Sequence, residues 1–235
     1  LGNSCNIAFG HIGLRMGGDT FYDYLKSFGI MEKTGVDLPG EASGLFYERK
    51  YLNDPANYGT SYLITSSFGQ SFRITPMQLV RAVAAIVNGG YVLEPYIVSE
   101  VVDADGNTVE KNEKTVLRQV ISQQTSETMR TLMEQVVTEG TASAARTPGY
   151  RVGGKTGTTT NNCDRWFVGF TPYYVAAVWT GYDMPEYMNF SGTPAAQIWK
   201  LVMDPIHKDL PTKSFPAPPI GSPTGIFGNF SGQSQ

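Results

Sequence analysis

Histidine and cysteine are scarce in this chain, and their scarcity removes several functions at the outset. The two histidines, His11 and His207, stand far apart with no ligand spacing, which argues against a zinc centre, and no cofactor is expected. Two cysteines, Cys5 and Cys163, rule out a disulfide-rich scaffold. They read as separate free thiols, with a redox pair as the alternative, because a bridge needs Cα atoms within about 7 Å. Positive charge is not in excess: 18 Lys and Arg face 21 Asp and Glu, a net charge of −3, so there is no electrostatic case for nucleic acid. No apolar run approaches the ~18 residues that a membrane-spanning helix needs. What is present is a 235-residue chain with 41% hydrophobic residues, enough for one sizeable core or two small ones. It lacks an initiator methionine and begins at Leu1-Gly-Asn, inside what reads as a motif, so a piece of a longer protein is expected.

The most informative stretch is Arg151-Val-Gly-Gly-Lys-Thr-Gly-Thr-Thr-Thr160. Two chemistries compete for it. Gly149, Gly154, Lys155 and Thr156 satisfy G-x-x-x-x-G-K-[ST], the loop that cradles phosphates, but that loop needs a strand before it and a helix after it. Here a loop precedes the motif, and Thr158-Thr-Thr-Asn-Asn-Cys-Asp164, a poor helix start, follows. The second reading is an edge strand. Side chains alternate along a strand, so Lys155 and Gly157 share one face while Thr156 and Thr158 share the other. Gly157 then leaves room for a close backbone approach, and the open edge can take an extended peptide as an added strand.

The remaining elements follow from periodicity and punctuation. Ile7, Phe9, Ile12, Leu14 and Met16 mark a broken helical stripe. Ser4 before it reads either as a helix cap or, with Asn6, as a hydroxyl and an amide turned into a cleft. Asp19 to Gly29 is a second short helix ending at a C′ glycine. Lys33-Thr-Gly35 repeats the lysine triplet in a turn-rich segment, and residues 42–73 read as loop-rich. Thr75 caps a helix with Pro76 at its first position and Gly89-Gly90 at its end. Residues 91–102 are extended, a turn falls at 103–108, and Ser122 opens another helix. Two aromatic, β-branched runs between Asp164 and Tyr182 form a hairpin, which with residues 152–160 makes three antiparallel strands. Pro194 to Lys208 is a helix expected to turn Ile198, Trp199, Leu201, Val202 and Met203 to the sheet. Pro211 to Gln235, rich in Pro, Gly and Ser, reads as a disordered tail.

In combination these pieces resemble the second half of a penicillin-binding transpeptidase domain, over about residues 3–208. The resemblance rests on Ser4-Cys5-Asn6, Thr34-Gly-Val-Asp-Leu-Pro-Gly-Glu41, Gly69-Gln70 with Ile74-Thr-Pro-Met-Gln-Leu79, Asn88-Gly-Gly90, and Gly153-Gly-Lys-Thr-Gly-Thr158 followed by Trp-Phe-Val-Gly-Phe-Thr-Pro. Lys-Thr-Gly belongs to the motif set of that family. Gly69-Gln70 is similar to the class B group and Asp164-Arg-Trp-Phe-Val-Gly to the class A group; class B is favoured. The resemblance implies an α/β (α+β) fold of the penicillin-binding and serine β-lactamase kind, an antiparallel sheet flanked by helices. It implies residues 1–210 as part of a transpeptidase domain and 211–235 as tail.

It also implies acyl transfer: a serine, activated by a lysine three residues later, attacks the D-Ala-D-Ala bond of a peptidoglycan stem peptide, and β-lactams stall at the acyl-enzyme. By that resemblance Ser4 would relay protons, Asn6 would hold the acyl-side amide, and Lys155 would supply positive potential and bond to Ser4. Thr156, Gly157 and Thr158 would line the substrate strand, with the Thr158 hydroxyl on the substrate carboxylate and its backbone N–H in the oxyanion hole. The partners implied are the stem peptide, β-lactams and the missing N-terminal half of the domain, at the extracytoplasmic face of a bacterial membrane. One departure matters: no Ser-x-x-Lys occurs in the chain, and the nearest approach is Ser143-Ala-Ala-Arg146. The nucleophile is therefore expected upstream of Leu1, the fold to be incomplete on its N-terminal side, and this piece alone to be inactive. A serine β-lactamase or β-lactam sensor of the same fold, and a non-catalytic peptide-binding module, are the alternatives.

Overall fold

The computed structural model describes residues 1–54, 56 and 58–215. Helices α1 (Asn6–Met16), α2 (Gly18–Ser27), α3 (Arg49–Leu52), α4 (Gly59–Ser67) and α5 (Pro76–Val87) come first. Strands β1 (Tyr91–Glu94), β2 (Glu100–Val102), β3 (Thr108–Lys111) and β4 (Thr115–Gln119) form two small antiparallel pairs, β1 with β4 and β2 with β3. Helix α6 (Gln123–Thr138) leads to a 3-10 turn at Ser143–Ala145. The main sheet is β5 (Gly153–Thr158), β6 (Asp164–Phe170) and β7 (Val175–Gly181), antiparallel in that order, and α7 (Pro194–His207) closes the described fold.

Helix α5 shows how closely local chemistry can set an element. Thr75 Oγ1 accepts the Gln78 backbone N–H at 3.1 Å and Gln78 Oε1 accepts that of Thr75 at 2.8 Å, a reciprocal cap with Pro76 just inside. Gln78 is fully buried, and its Nε2 also donates to Glu32 O at 2.8 Å, tying the helix start to the preceding loop. Glu32 opens onto the stretch Thr34 to Glu41, where the Glu41 carboxylate accepts from the Thr34 backbone (2.7 Å), the Thr34 hydroxyl (2.6 Å) and Gly35 N (3.1 Å). The second Lys-Thr-Gly is thus a self-bonded loop.

Two expectations fail, those for residues 42–73 and for part of α7, and the stripe read on α1 falls on its open side. Residues 42–73 contain α3 and α4. Helix α4 reads as loop because it is rich in Ser and Thr, whose hydroxyls here bond back into the helix, Thr65 to Ser61 O at 2.9 Å and Ser67 to Leu63 O at 2.6 Å. The apolar stripe of α1 is not its packed face. Ile7 is 74% exposed and Ile12 51%, while Gly10 and Gly13 are buried, because α1 lies on α4 through its glycines. A Cβ at Gly10 would stand 3.1 Å from Ile64. On α7, Trp199 and Met203 do face the sheet, with Ala195, Ala196 and His207 buried beside them; Ile198, Leu201 and Val202 point outward, Leu201 being 73% exposed. Counted from Ala195, the buried set stands at i, i+1, i+4, i+8 and i+12, along one side of the helix.

The core has two parts, one on each face of the main sheet. Phe167, Trp199, Ala195, Ala196, Met203, Val136 and Val137 pack on the α7 side, with Phe167 and Trp199 edge to face at 5.5 Å. Val168, Phe170, Val83, Val87 and Met133 pack on the α5 side. Leu1 reaches both clusters. The first residues of the expected tail, 211–215, make contacts with the fold. Pro211 O accepts from the Tyr173 hydroxyl at 2.7 Å, Lys213 lies over the Tyr173 ring, and Phe215 packs on Phe170 between Arg130 and Arg151. The rest of the tail expectation, residues 216–235, lies outside the described residues.

Candidate active site

Lysine and glycines of the central stretch lie within β5, not in a loop. Gly153 pairs with Phe170, Gly154 with Gly169, Lys155 with Val168, and Thr158 with Arg165. A Cβ at Gly153 would run into the Phe170 ring, and one at Gly154 would meet the Phe167 ring and Val168 O, the latter at 2.7 Å. These glycines are there so that strand and aromatic core can touch. The chain leaves β5 by a turn into β6, with no helix at the motif. The nucleotide reading is overturned.

Lys155 stands where the edge-strand reading puts it. β5 pairs with β6 alone among the described strands, so its outer edge is open. The Lys155 ammonium donates to Ser4 Oγ at 2.9 Å and to Thr156 O at 2.8 Å, with Thr156 Oγ1 at 3.4 Å. Burial pushes its pKa below the ordinary lysine range. No carboxylate lies within ion-pair distance of it among the described residues. Neutral oxygens carry the whole of its solvation by the protein.

Ser4 reaches Lys155 because its backbone is turned into the left-handed region, φ +49°, which few non-glycine residues adopt. The cap reading of Ser4 fails: Cys5 occupies the N-cap position of α1 without a side-chain cap bond. The serine hydroxyl is engaged by lysine instead. The segment before it is anchored by Leu1 in the core and by Gly2, whose carbonyl accepts from Thr141 N at 3.4 Å. Gly140 has no side chain there because a Cβ would come within 2.7 Å of that carbonyl.

The other residues take simpler positions. Asn6 is exposed in the first turn of α1 and Thr158 is exposed at the end of β5; the side chain of neither makes a hydrogen bond among the described residues. Gly157 faces Trp166, whose Cβ would lie 3.3 Å from an added methyl. Thr156 Oγ1 lies 3.0 Å from Thr141 Oγ1. Thr141 is the residue that sequence reasoning missed: Glu139-Gly-Thr-Ala-Ser reads as a connector, and nothing local says that it will face β5. Cys5 and Cys163 are both free thiols.

The geometry brings a buried-stem lysine, a serine 151 positions away and an open Lys-Thr-Gly strand into one place. Residues 1–204 match the penicillin binding protein transpeptidase domain. The chain belongs to that family. It is 40% identical over 209 residues to Stage V sporulation protein D of Bacillus subtilis, covering 83% of this chain and 31% of that protein. It is 32% identical to Penicillin-binding protein 1A of Clostridium acetobutylicum, covering 82% of this chain and 24% of that one. The fold superposes with TM-score 0.75 and 26% identity on Penicillin binding protein 3 of Mycobacterium tuberculosis complexed with aztreonam, covering 91% of this chain and 52% of that chain. With the D,D-transpeptidase domain of a peptidoglycan glycosyltransferase from Eggerthella lenta the TM-score is 0.70 at 26% identity, over 88% of this chain and 52% of that one. The likeness to Stage V sporulation protein D and to Penicillin binding protein 3 agrees with the class B side of the resemblance. The chain spans about a third of the curated relatives' length or less. No helix among the described residues is long and apolar enough to cross a membrane.

Proposed function

We propose that this chain supplies the Lys-Thr-Gly side of a serine D,D-transpeptidase site that cross-links peptidoglycan stem peptides and is acylated by β-lactams. The observation that carries the reading is the 2.9 Å contact from Lys155 Nζ to Ser4 Oγ. A lysine held below its ordinary pKa beside a serine can pass a proton between nucleophile and leaving group. The open edge of β5 would take the peptide as an added strand, Asn6 would hold its acyl-side amide, and the Thr158 hydroxyl would meet its terminal carboxylate. A nucleophilic serine attacks the penultimate D-Ala carbonyl. The oxyanion so formed accepts from Thr158 N–H, the terminal D-Ala leaves as a protonated amine, and a second stem's amine then displaces the serine.

That nucleophile, the Ser of Ser-x-x-Lys, is assigned to residues outside this sequence, because the motif occurs nowhere within it. Three open apolar surfaces support a covering half: the exposed side of α1, the outer face of α7, and the edge of β7 that is unpaired among the described residues, whose Val-Ala-Ala-Val-Trp-Thr-Gly carries neither charge nor proline. The site would work at the extracytoplasmic face of the cell membrane. The test is intact mass after incubation with a fluorescent penicillin, on the 235-residue chain and on the full-length protein that carries it. Labelling of the longer protein alone is expected. An acylated serine within these residues would sink the assignment, and labelling of neither would favour a peptide-binding module without chemistry.

A further inference from the structure

The turn after α6 bears a hydroxyl that joins both halves of the candidate site. Thr141 is exposed, so it contributes little to the core. Its Oγ1 lies 3.0 Å from Thr156 Oγ1, which lies 3.4 Å from Lys155 Nζ. Its backbone N–H meets Gly2 O at 3.4 Å, two residues before Ser4. An ammonium has donors only, so a hydroxyl facing it must accept and send its own proton elsewhere. For Thr156 the hydroxyl oxygen in reach is that of Thr141.

We propose that Thr141 is a positioning residue for the Ser4–Lys155 pair: its hydroxyl accepts the Thr156 proton and so turns the Thr156 oxygen toward the lysine, while its backbone holds the segment that carries Ser4. This rests on the transpeptidase reading above. Thr141 touches neither Ser4 nor Lys155 directly; it acts through Thr156 and Gly2. Because no carboxylate among the described residues pairs with Lys155, each oxygen turned toward it matters to where its ammonium sits.

The experiment is the second-order rate of fluorescent-penicillin labelling of the full-length protein, wild type against Thr141→Val, Thr141→Ala and Thr141→Ser, with the melting temperature of each. Valine keeps the shape and removes the hydroxyl; serine keeps the hydroxyl. Loss of one neutral hydrogen bond corresponds to about tenfold in rate. Thr141→Val and Thr141→Ala are expected to label about tenfold more slowly, and Thr141→Ser within about twofold of wild type, at unchanged melting temperatures. Val and Ala variants that label as fast as wild type would overturn the inference alone. So would a serine variant slowed as much as valine together with a lower melting temperature, since that marks a structural role. A wild-type protein that does not label would overturn the transpeptidase reading and this inference with it.

Discussion

Lys155 combines an unfavourable position for stability with a favourable one for chemistry. Its charge is desolvated, it meets only neutral oxygens among the described residues, and its pKa is lowered accordingly. Between the lowered folded value and the ordinary value near 10.5, the unfolded chain binds more protons than the folded one, so stability rises with pH across that window. We expect Lys155→Met to leave the melting temperature at neutral pH unchanged or higher, and the wild type to gain on the variant as pH rises toward 10.5. We expect the same substitution to slow penicillin labelling of the full-length protein by about 100-fold or more, the scale of losing a charge-stabilising donor. Calorimetry across pH with labelling kinetics checks both; a variant that loses stability and keeps its labelling rate would contradict the role given to this ammonium. At this scale Lys155 was legible in the sequence through its triplet. Ser4 was legible as a motif residue but not as a left-handed one, because its backbone angle follows from where Leu1 and Gly2 are pinned.

Strand β5 and its glycines show how an element's chemistry depends on its neighbours. In a phosphate loop, Gly154 would be a position of backbone freedom. Here it is a contact point, with no room for a methyl between the Phe167 ring and Val168 O. Gly154→Ala is therefore expected to destabilise the folded protein by about 1–3 kcal/mol through overpacking, read as a shift in urea midpoint at constant slope. An unchanged midpoint would mean that the strand does not sit against β6 as described. The same lesson applies to α1 and α7. Their apolar residues were legible, but which face is covered was not. Glycine-mediated contact with α4 turns the Ile7 and Ile12 side of α1 outward, and the sheet selects Trp199 and Met203 from a helix that is apolar on more than one side.

Across the whole molecule, the chain after α7 acts as a strap. The single Tyr150 hydroxyl proton is shared between His207 O (2.6 Å) and Leu210 O (2.5 Å), Tyr173 reaches Pro211 O, and Phe215 lies between two arginines against Phe170. Composition had assigned residues from 211 onward to a tail; partners from α6, β6, the turn after β6 and the loop before β5 hold Pro211, Lys213 and Phe215. Phe215→Ala is expected to cost about 1–2 kcal/mol, part of the worth of a fully buried large apolar side chain because Phe215 is only partly buried, measured by denaturant unfolding. No loss of stability would return residues 211–215 to the tail.

By itself the sequence determined the caps of α5 and α6, the three-stranded order of β5, β6 and β7, and the place of the Lys155 triplet on a strand, because capping and alternation act over a few neighbouring residues. Tertiary structure alone decided that Ser4 bonds Lys155, that Thr141 faces Thr156, that α1 packs through glycine, and that Phe215 returns to the core. Each of those contacts joins residues that are distant along the chain, or depends on which of several apolar faces a neighbouring element can cover. Such choices follow from the sum of long-range packing, which no local pattern carries.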